Sequence, residues 1–288
     1  MQESYDTGLV PQAPKPNFME SKVAEAANRL QSAYLMAKKF PRNEEAAVAR
    51  ITRECQRFQL ADEALFQFPR GTEKIEGPTI RLLEVIAQAW GNLDFGVQEL
   101  ENVDGPDGYS IIEGYCTDLE TNNHQSKTFK VYHKILVGTK GNKHTKHLVD
   151  PRDAYEHVAN MGARRQRSAM QGVIPRFVVD DAVATVRETL KRGNGKSLVE
   201  RIEAMVKAFA TVGVSVEMLE RKLDHATKDV TADELVDLTI IFNTIRKREG
   251  GRKEFFSLKD DPDEGGGAEK LRAKLNPNVP EAKEVKDE

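Results

Sequence analysis

The chain has 288 residues, of which 39% are hydrophobic and 31% charged, and its formal net charge is −3 at pH 7. This composition supports a buried core, and the two widely separated cysteines, Cys55 and Cys116, exclude a disulfide framework and a cysteine-based zinc site. Because no apolar run is long enough to cross a bilayer and no signal pattern opens the chain, a soluble cytoplasmic protein is expected.

Charge is distributed unevenly along the chain. Residues 122–176 contain eleven lysines and arginines against three acidic residues, whereas the rest of the chain contains 32 basic and 43 acidic residues. Five of the six histidines also fall in this basic segment. Segregation of this kind is typical of a surface that binds a polyanion.

The N-terminal third reads as an arm, two helices, a strand and a third helix. Residues 1–17 contain three prolines and no periodicity, which indicates a disordered arm. One helix is predicted from about residue 19 to 39, and a second begins after the N-cap Asn43. Alternation in residues 64–71 predicts a short strand, and residues 76–92 read as a helix with proline in its first turn. The expected buried stripe of that helix consists of Ile80, Leu83, Ala87 and Trp90.

Three strand-like runs follow, in residues 93–101, 109–120 and 127–137. Short loops separate them, which predicts an antiparallel meander. In the third run apolar and polar residues alternate. One predicted face carries Phe129, Val131, Ile135 and Val137, and the other carries Lys130, Tyr132 and Lys134. The glycine-rich stretch 138–148 extends the basic character as a loop or hairpin tip.

The stretch EHVANMGARRQRSAMQGVIP, residues 156–175, places three arginines in four positions. On a helix, Arg164 and Arg167 share one face with Asn160 and Gln171, and Arg165 lies near its border. Small residues on the opposite side would let this helix approach the sheet closely. A solvated helix face usually mixes both signs of charge, whereas an arginine stripe without acids suits bidentate phosphate contacts. Combined with the lysines and tyrosine of the third strand, it predicts binding of single-stranded nucleic acid.

Catalytic and metal-binding alternatives are disfavoured by the residues themselves. The stretch RGNGKS at 192–197 follows a helix and has Leu190 where a phosphate-binding loop needs its first glycine. His144 and His147 could supply two metal ligands, but their lysine-rich surroundings disfavour a cation. A nuclease would need clustered carboxylates; Asp118 and Glu120 close one predicted strand, but Lys127 lies too far along the chain for a compact acid–lysine arrangement. No catalytic residue, metal or cofactor is therefore expected.

A glycine-containing linker at 192–197 marks a domain boundary. Three helical segments follow it, and Thr231 and Glu234 form a capping box in the last of them. Charged, proline-bearing residues from 257 onward indicate disorder. The predicted organisation is an N-terminal arm (1–17), a DNA-binding α+β core (18–192), a small helical docking module (193–256) and a disordered charged tail (257–288).

The order of these elements resembles the single-strand annealing proteins of phages, which include the RecT, Redβ and Erf groups. The resemblance spans residues 20–256 and is carried by three segments. They are FPRGTEKIEGPTIRLLEVIAQAWGNLDFGVQELE, NMGARRQRSAMQGVIP and LDHATKDVTADELVDLTIIFNTIRKREGGRKEFF.

The resemblance implies a protein that is not an enzyme and that anneals complementary DNA strands without ATP during phage recombination and repair in the bacterial cytoplasm. It implies an antiparallel β-meander packed against helices, assembly into rings or helical filaments, and a C-terminal module that docks a phage exonuclease or the host single-strand binding protein. A non-annealing protein that protects single strands during replication or repair is the alternative. The expected nucleic-acid-binding residues are Lys130, Tyr132, Lys134, Lys140, Lys143, Lys146, Arg164, Arg165 and Arg167, with Arg70 and Lys74 in a separate loop.

Overall fold

The computed structural model describes residues 18–70, 73–105, 107–139, 142–247 and 251–256. The chain divides into two compact units. Of the described residues, the first unit contains those up to Leu65 together with Pro78–Thr189, and the second contains Phe66–Gly77 together with those from Leu190 onward. Within the described ranges, no helix combines the length and the hydrophobicity that a bilayer crossing requires.

Among the described residues up to 192, four of the helices match predicted ones, whereas those at Phe58–Glu63 and Arg176–Arg192 were not predicted. The helices are α1 (Phe18–Lys39), α2 (Glu44–Cys55), α3 (Phe58–Glu63), α4 (Ile80–Trp90), α5 (Pro151–Val173) and α6 (Arg176–Arg192). Asn43 caps α2 as predicted, because its side chain accepts a hydrogen bond from the Ala46 backbone N–H at 2.9 Å. The expected proline in the first turn of α4 is wrong, since Thr79 is the N-cap and Pro78 ends the preceding strand.

The fold is mixed α+β with small antiparallel sheets. The strands are β1 (Leu65–Arg70), β2 (Glu73–Pro78), β3 (Leu93–Val103), β4 (Tyr109–Asp118), β5 (His124–Tyr132), β6 (Lys134–Thr139) and β7 (Asn142–His147). Strands β3, β4 and β5 pair in chain order, which confirms the predicted meander. Strands β1 and β2 form one separate hairpin, and β6 and β7 form another.

The prediction of a single strand over residues 127–137 is wrong, because His133 interrupts it. The His133 N–H donates to the Gly108 carbonyl at 2.8 Å, and its carbonyl accepts from the Leu148 N–H at 2.9 Å. Its Nε2 lies 2.8 Å from the Oγ of the buried Ser110. Held in this way, the chain leaves the meander at Tyr132 and starts the β6–β7 hairpin. The predicted alternation of faces therefore does not continue from β5 into β6.

Helix α5 packs at close range on one face of the meander. A Cβ added to Gly162 would lie 2.6 Å from Val97 Cγ1, and a Cβ added to Gly114 would lie 2.6 Å from the backbone nitrogen of Gln166. Two glycines thus allow helix and sheet to approach more closely than larger residues would permit. Between them, Ile112 and Val131 of the sheet and Val158 of the helix form a small buried cluster.

The loop between α1 and α2 is tied to the end of the meander by a buried ion-pair network. Arg42 Nη2 lies 2.7 Å from Asp118 Oδ1, and Arg42 Nε lies 2.7 Å from Glu120 Oε1. The side chain of Asn92 donates to the same Glu120 oxygen at 2.7 Å. Burial alone would raise the pKa of Glu120, but these hydrogen bonds from Asn92 and Arg42 hold the pKa below its ordinary value. The Arg42 guanidinium also lies 5.0 Å from the ring centroid of Trp90.

The second unit has its own hydrophobic core, built largely from α7 (Leu198–Thr211), α8 (Val216–Leu223), α9 (Ala232–Arg246) and α10 (Arg252–Phe255). Capping boxes begin α7 at Ser197 and α9 at Thr231, and the second of these was predicted. Phe68 of the β1–β2 hairpin packs on this core, and the Gln67 N–H donates to the Thr244 hydroxyl at 3.2 Å. These contacts explain why residues 66–77 group with the C-terminal helices, although the sequence places them in the N-terminal core.

Replacing Arg42 with methionine tests the importance of the network. Loss of the guanidinium leaves the carboxylates of Asp118 and Glu120 buried without a counter-charge, so the free energy of unfolding should fall by about 3–5 kcal/mol. Urea denaturation followed by the fluorescence of Trp90, the single tryptophan of the chain, measures the change.

The matched control is Lys22→Ala, which removes an exposed i,i+3 ion pair with Glu25 on α1. That change should alter stability by less than about 0.5 kcal/mol. Equal effects of the two substitutions would show that the Arg42 network contributes no more than a surface pair.

Candidate nucleic-acid interface

Arg165 of α5 lies over Phe129 of strand β5, which is an edge strand of the meander. Arg164 and Arg165 are exposed, and Arg167 is half-buried. The pairing of Ile112 with Phe129 places Phe129 on the sheet face that α5 covers, and Lys127 shares that face two residues earlier. We call the surface formed by Lys127, Phe129, Arg164, Arg165 and Ser168 the α5–β5 seam.

Two contacts hold the sides of the seam together. Lys127 Nζ donates to Ser168 Oγ at 2.9 Å. The Arg165 guanidinium lies 5.1 Å from the ring centroid of Phe129, within the range of a cation–π interaction. Both contacts leave the cationic groups charged, and neither involves an acidic residue. Among the described residues, no ion pair neutralises Lys127, Arg164 or Arg165.

A histidine extends the seam along α5. His157 is half-buried and lies about two helical turns before Arg164. Burial lowers the pKa of His157, and the nearby His133 and Arg164 lower it further because they disfavour an additional positive charge. The lowered pKa favours the neutral imidazole in the unbound protein, and an anion beside it would favour the charged form.

Lys130 and Tyr132 lie on the opposite face of the sheet from α5. Lys130 Nζ lies 3.7 Å from the ring centroid of Tyr109 and 5.9 Å from that of Tyr132. Acidic residues accompany this cluster, since the Tyr109 hydroxyl donates to Glu101 at 3.1 Å. The lysine–tyrosine face of β5 and the arginine stripe, which were predicted to bind nucleic acid together, thus lie on opposite sides of one sheet. Only the β5 edge connects them.

The other predicted contact residues are dispersed. Lys134 opens β6 and forms an ion pair of 3.3 Å with Asp107. Lys143 and Lys146 are exposed on β7. Lys140 and the side chain of Arg70 lie outside the described residues. Lys74 belongs to the second unit, where its ammonium pairs with Asp237 at 2.8 Å.

Lys127, Phe129 and Ser168 complete the seam, but sequence reasoning did not assign them a binding role. Phe129 was placed only on the apolar face of the third strand-like run. The signal for Lys127 was its spacing, because it lies two residues before Phe129 and four before Val131 on the same strand face. That signal becomes informative only when α5 is known to cover this face.

The side chains of His144 and His147, considered above as metal ligands, do not point toward a shared site. His144 and His147 are three residues apart on β7, so their side chains project to opposite faces of the hairpin. Within the described parts of the chain, no group of three or more potential ligands is positioned to hold a metal ion.

The side chains of the seam are of types that can form hydrogen bonds and ion pairs with phosphate groups. Arg164 and Arg165 present planar guanidinium groups that can form bidentate hydrogen bonds with phosphate oxygens. Lys127 adds a point charge on the sheet side, and the face of Phe129 adds an aromatic surface. Cations with an adjacent aromatic ring are the elements with which proteins hold single-stranded nucleic acid.

The lowered pKa of His157 leads to a prediction about pH. A bound phosphate would favour the imidazolium form, so the affinity for a 30-residue oligo-dT should increase as the pH falls from 7.5 to 5.5. In the unbound protein the sign is opposite: the stabilisation from neutral His157 is complete above its unfolded pKa of about 6.5 and is lost as the pH falls. Fluorescence anisotropy at fixed ionic strength measures the first effect, and urea denaturation measures the second.

The variant His157→Gln is the control, because glutamine keeps a polar side chain but does not titrate. Its affinity should change clearly less with pH than that of the wild type. An identical pH dependence in both proteins would assign the effect to another group.

Comparison of the chain with protein-family models, with curated proteins and with solved structures finds no match in any of the three. The assignment of a function therefore depends on the geometry of the seam and on the sequence patterns described above.

Proposed function

We propose that the chain binds single-stranded DNA along the α5–β5 seam and anneals complementary strands without ATP. The observation that carries the binding proposal is the convergence of Lys127, Arg164 and Arg165 from two elements on one exposed surface. Clustered cations that have no acidic partner repel one another, and phosphate groups relieve that repulsion while releasing counterions from the DNA.

The geometry favours contact with the DNA backbone over contact with base edges. Arg165 projects toward the β5 strand edge and Arg164 follows on the adjoining helix face, so the two can bind neighbouring phosphates of an extended strand. The guanidinium of Arg165 is already held against Phe129, so little side-chain entropy is lost when a phosphate binds. Bases that are not bound by the protein stay available for pairing with a second strand.

The lysine–tyrosine cluster on the opposite sheet face supports a path around the β5 edge. Tyr132 is about half exposed, and the ammonium groups of Lys130 and Lys134 lie within 6 Å of its ring centroid. A strand that leaves the seam across this edge would meet an aromatic ring and two further cations. We therefore expect a secondary contribution from this cluster, which is weakened by its acidic neighbours.

The annealing step and the partners rest on the sequence resemblance to phage annealing proteins. By the same resemblance, we propose homo-oligomers and a C-terminal unit that docks an exonuclease or a single-strand binding protein. The alternative function, protection of single strands without annealing, requires the same seam. The two functions differ in whether the protein accelerates pairing between complementary strands that it already binds.

The double substitution Arg164→Ala, Arg165→Ala tests the seam. Each lost charge-assisted contact should cost about 1.5–3 kcal/mol, so binding of oligo-dT should weaken by at least about 100-fold at moderate salt. The plot of log affinity against log salt concentration should become shallower by about 1.4, which is 0.7 for each lost phosphate contact on a single strand. Anisotropy titrations at several salt concentrations measure both quantities.

The matched control is Arg176→Ala with Lys207→Ala, which removes the same net charge from exposed positions outside the seam. If control and seam variants weaken binding equally, the seam has no special role and only total charge matters. Annealing of two labelled complementary oligonucleotides, followed by energy transfer, separates the two functions. A protein that binds both strands but pairs them no faster than buffer alone would contradict the annealing proposal and retain the protective one.

A further inference from the structure

A groove lies on the other flank of α5, between this helix and strand β3. It encloses a cavity of about 950 Å³. Its walls include large apolar side chains that are exposed: Val97 at 42%, Tyr155 at 70% and Val149 at 88%. Contiguous exposed apolar groups of this kind are typical of an interaction surface. We call this surface the α5–β3 groove.

Gln166 adds a side-chain amide to the wall of the groove. An incoming polar group can form hydrogen bonds with this amide.

The charge of the groove selects its occupant. Glu99 and Asp104 line it, and the segment 93–107 of which they are part contains no lysine or arginine. Strand β3 is an edge of the meander, because in the described sheet it pairs only with β4. Acidic side chains repel nucleic acid, so this surface favours a cationic protein segment with an apolar side chain.

The β6–β7 hairpin of the chain has this complementary character. Residues 134–147 contain four lysines and no acidic residue. The pairing of Leu136 with Thr145 and of Gly138 with Lys143 places Leu136 and Lys143 on one face of the hairpin. Leu136 is 64% exposed and has the size to pack against the apolar walls of the groove. Lys146 lies on the other face.

We propose that the β6–β7 hairpin of one copy docks in the α5–β3 groove of a second copy. In this arrangement Leu136 contacts the exposed apolar side chains, and Lys143 lies near Asp104. The contact joins two different surfaces of the same chain, so it is heterologous and can repeat from copy to copy. The groove and the α5–β5 seam are on opposite flanks of α5, so the seam stays accessible in each copy.

A charge exchange tests the proposal. The variants Lys143→Glu and Asp104→Lys each place like charges together, so each should weaken self-association at least about tenfold. The double variant, which carries both changes, should restore it, as should an equimolar mixture of the two single variants. Light scattering over a concentration series measures assembly against the monomer mass of 32.3 kDa.

The control is Lys146→Glu, which makes the same charge change on the opposite face of the hairpin and should leave assembly unchanged. Four outcomes would overturn the proposal: a wild type that stays monomeric, assembly insensitive to the two reversals, equal loss in the control, or no restoration by the exchange. Two misfolded variants would not restore assembly when mixed, so the mixture keeps the test decisive.

The inference does not depend on DNA binding. The seam variant with alanine at positions 164 and 165 should assemble like the wild type, whereas a failure of the groove proposal leaves oligo-dT binding by the seam unaffected. Sizing and anisotropy on the same preparations distinguish the failure of one proposal from the failure of the other.

Discussion

The close packing of α5 on the meander is the constraint on which the arrangement of the first unit depends. Gly114 on the sheet and Gly162 on the helix leave no room for a side chain between the two backbones. Each glycine lies against the opposite element, so the rotation of the helix about its axis is determined, because a larger residue cannot take the place of either glycine. That rotation buries Val158 and Met170 and directs Arg165 toward the β5 side.

Helix α5 also separates two surfaces of opposite charge. On one flank, the seam presents cations beside β5. On the other flank, the groove presents acidic and apolar groups beside β3. Both strands are edges of a three-stranded sheet, and unpaired edges are the places where a sheet can accept a further partner. The modest net charge of the chain therefore combines two surfaces of different character. The α5–β5 seam is cationic, and the α5–β3 groove is acidic and apolar.

Buried polar groups define the ends of the meander. Asp118 ends β4 and Glu120 follows it, and Arg42 neutralises both carboxylates from the loop before α2. At the other end, His133 bonds with Gly108, Leu148 and Ser110, and this turns the chain out of the sheet into the β6–β7 hairpin. The hairpin is therefore presented as a projection with its own two faces, and its lysines are not part of the strand that borders the seam.

Local patterns in the sequence were sufficient for the elements and for much of their order. Asn43 and Thr231 each place a side-chain acceptor at a helix N-terminus, and the turn residues between strands predicted the meander. The exposed face of α5 also followed from its spacing alone. In each case the determining interaction acts between residues a few positions apart, so the amino-acid order contains it.

Tertiary structure decided which of those elements share a surface. Spacing could show that Lys130 and Tyr132 alternate with Phe129, but not which sheet face α5 would cover. Spacing could not show that Lys127 lies beside the arginines of α5. Their proximity depends on the packing of Gly162 against a strand some fifty residues earlier in the chain. Nor could spacing show that His133 ends β5, since its partners lie in other elements. The sequence by itself determined the charges and the elements that carry them, whereas long-range packing determined the faces on which those charges meet.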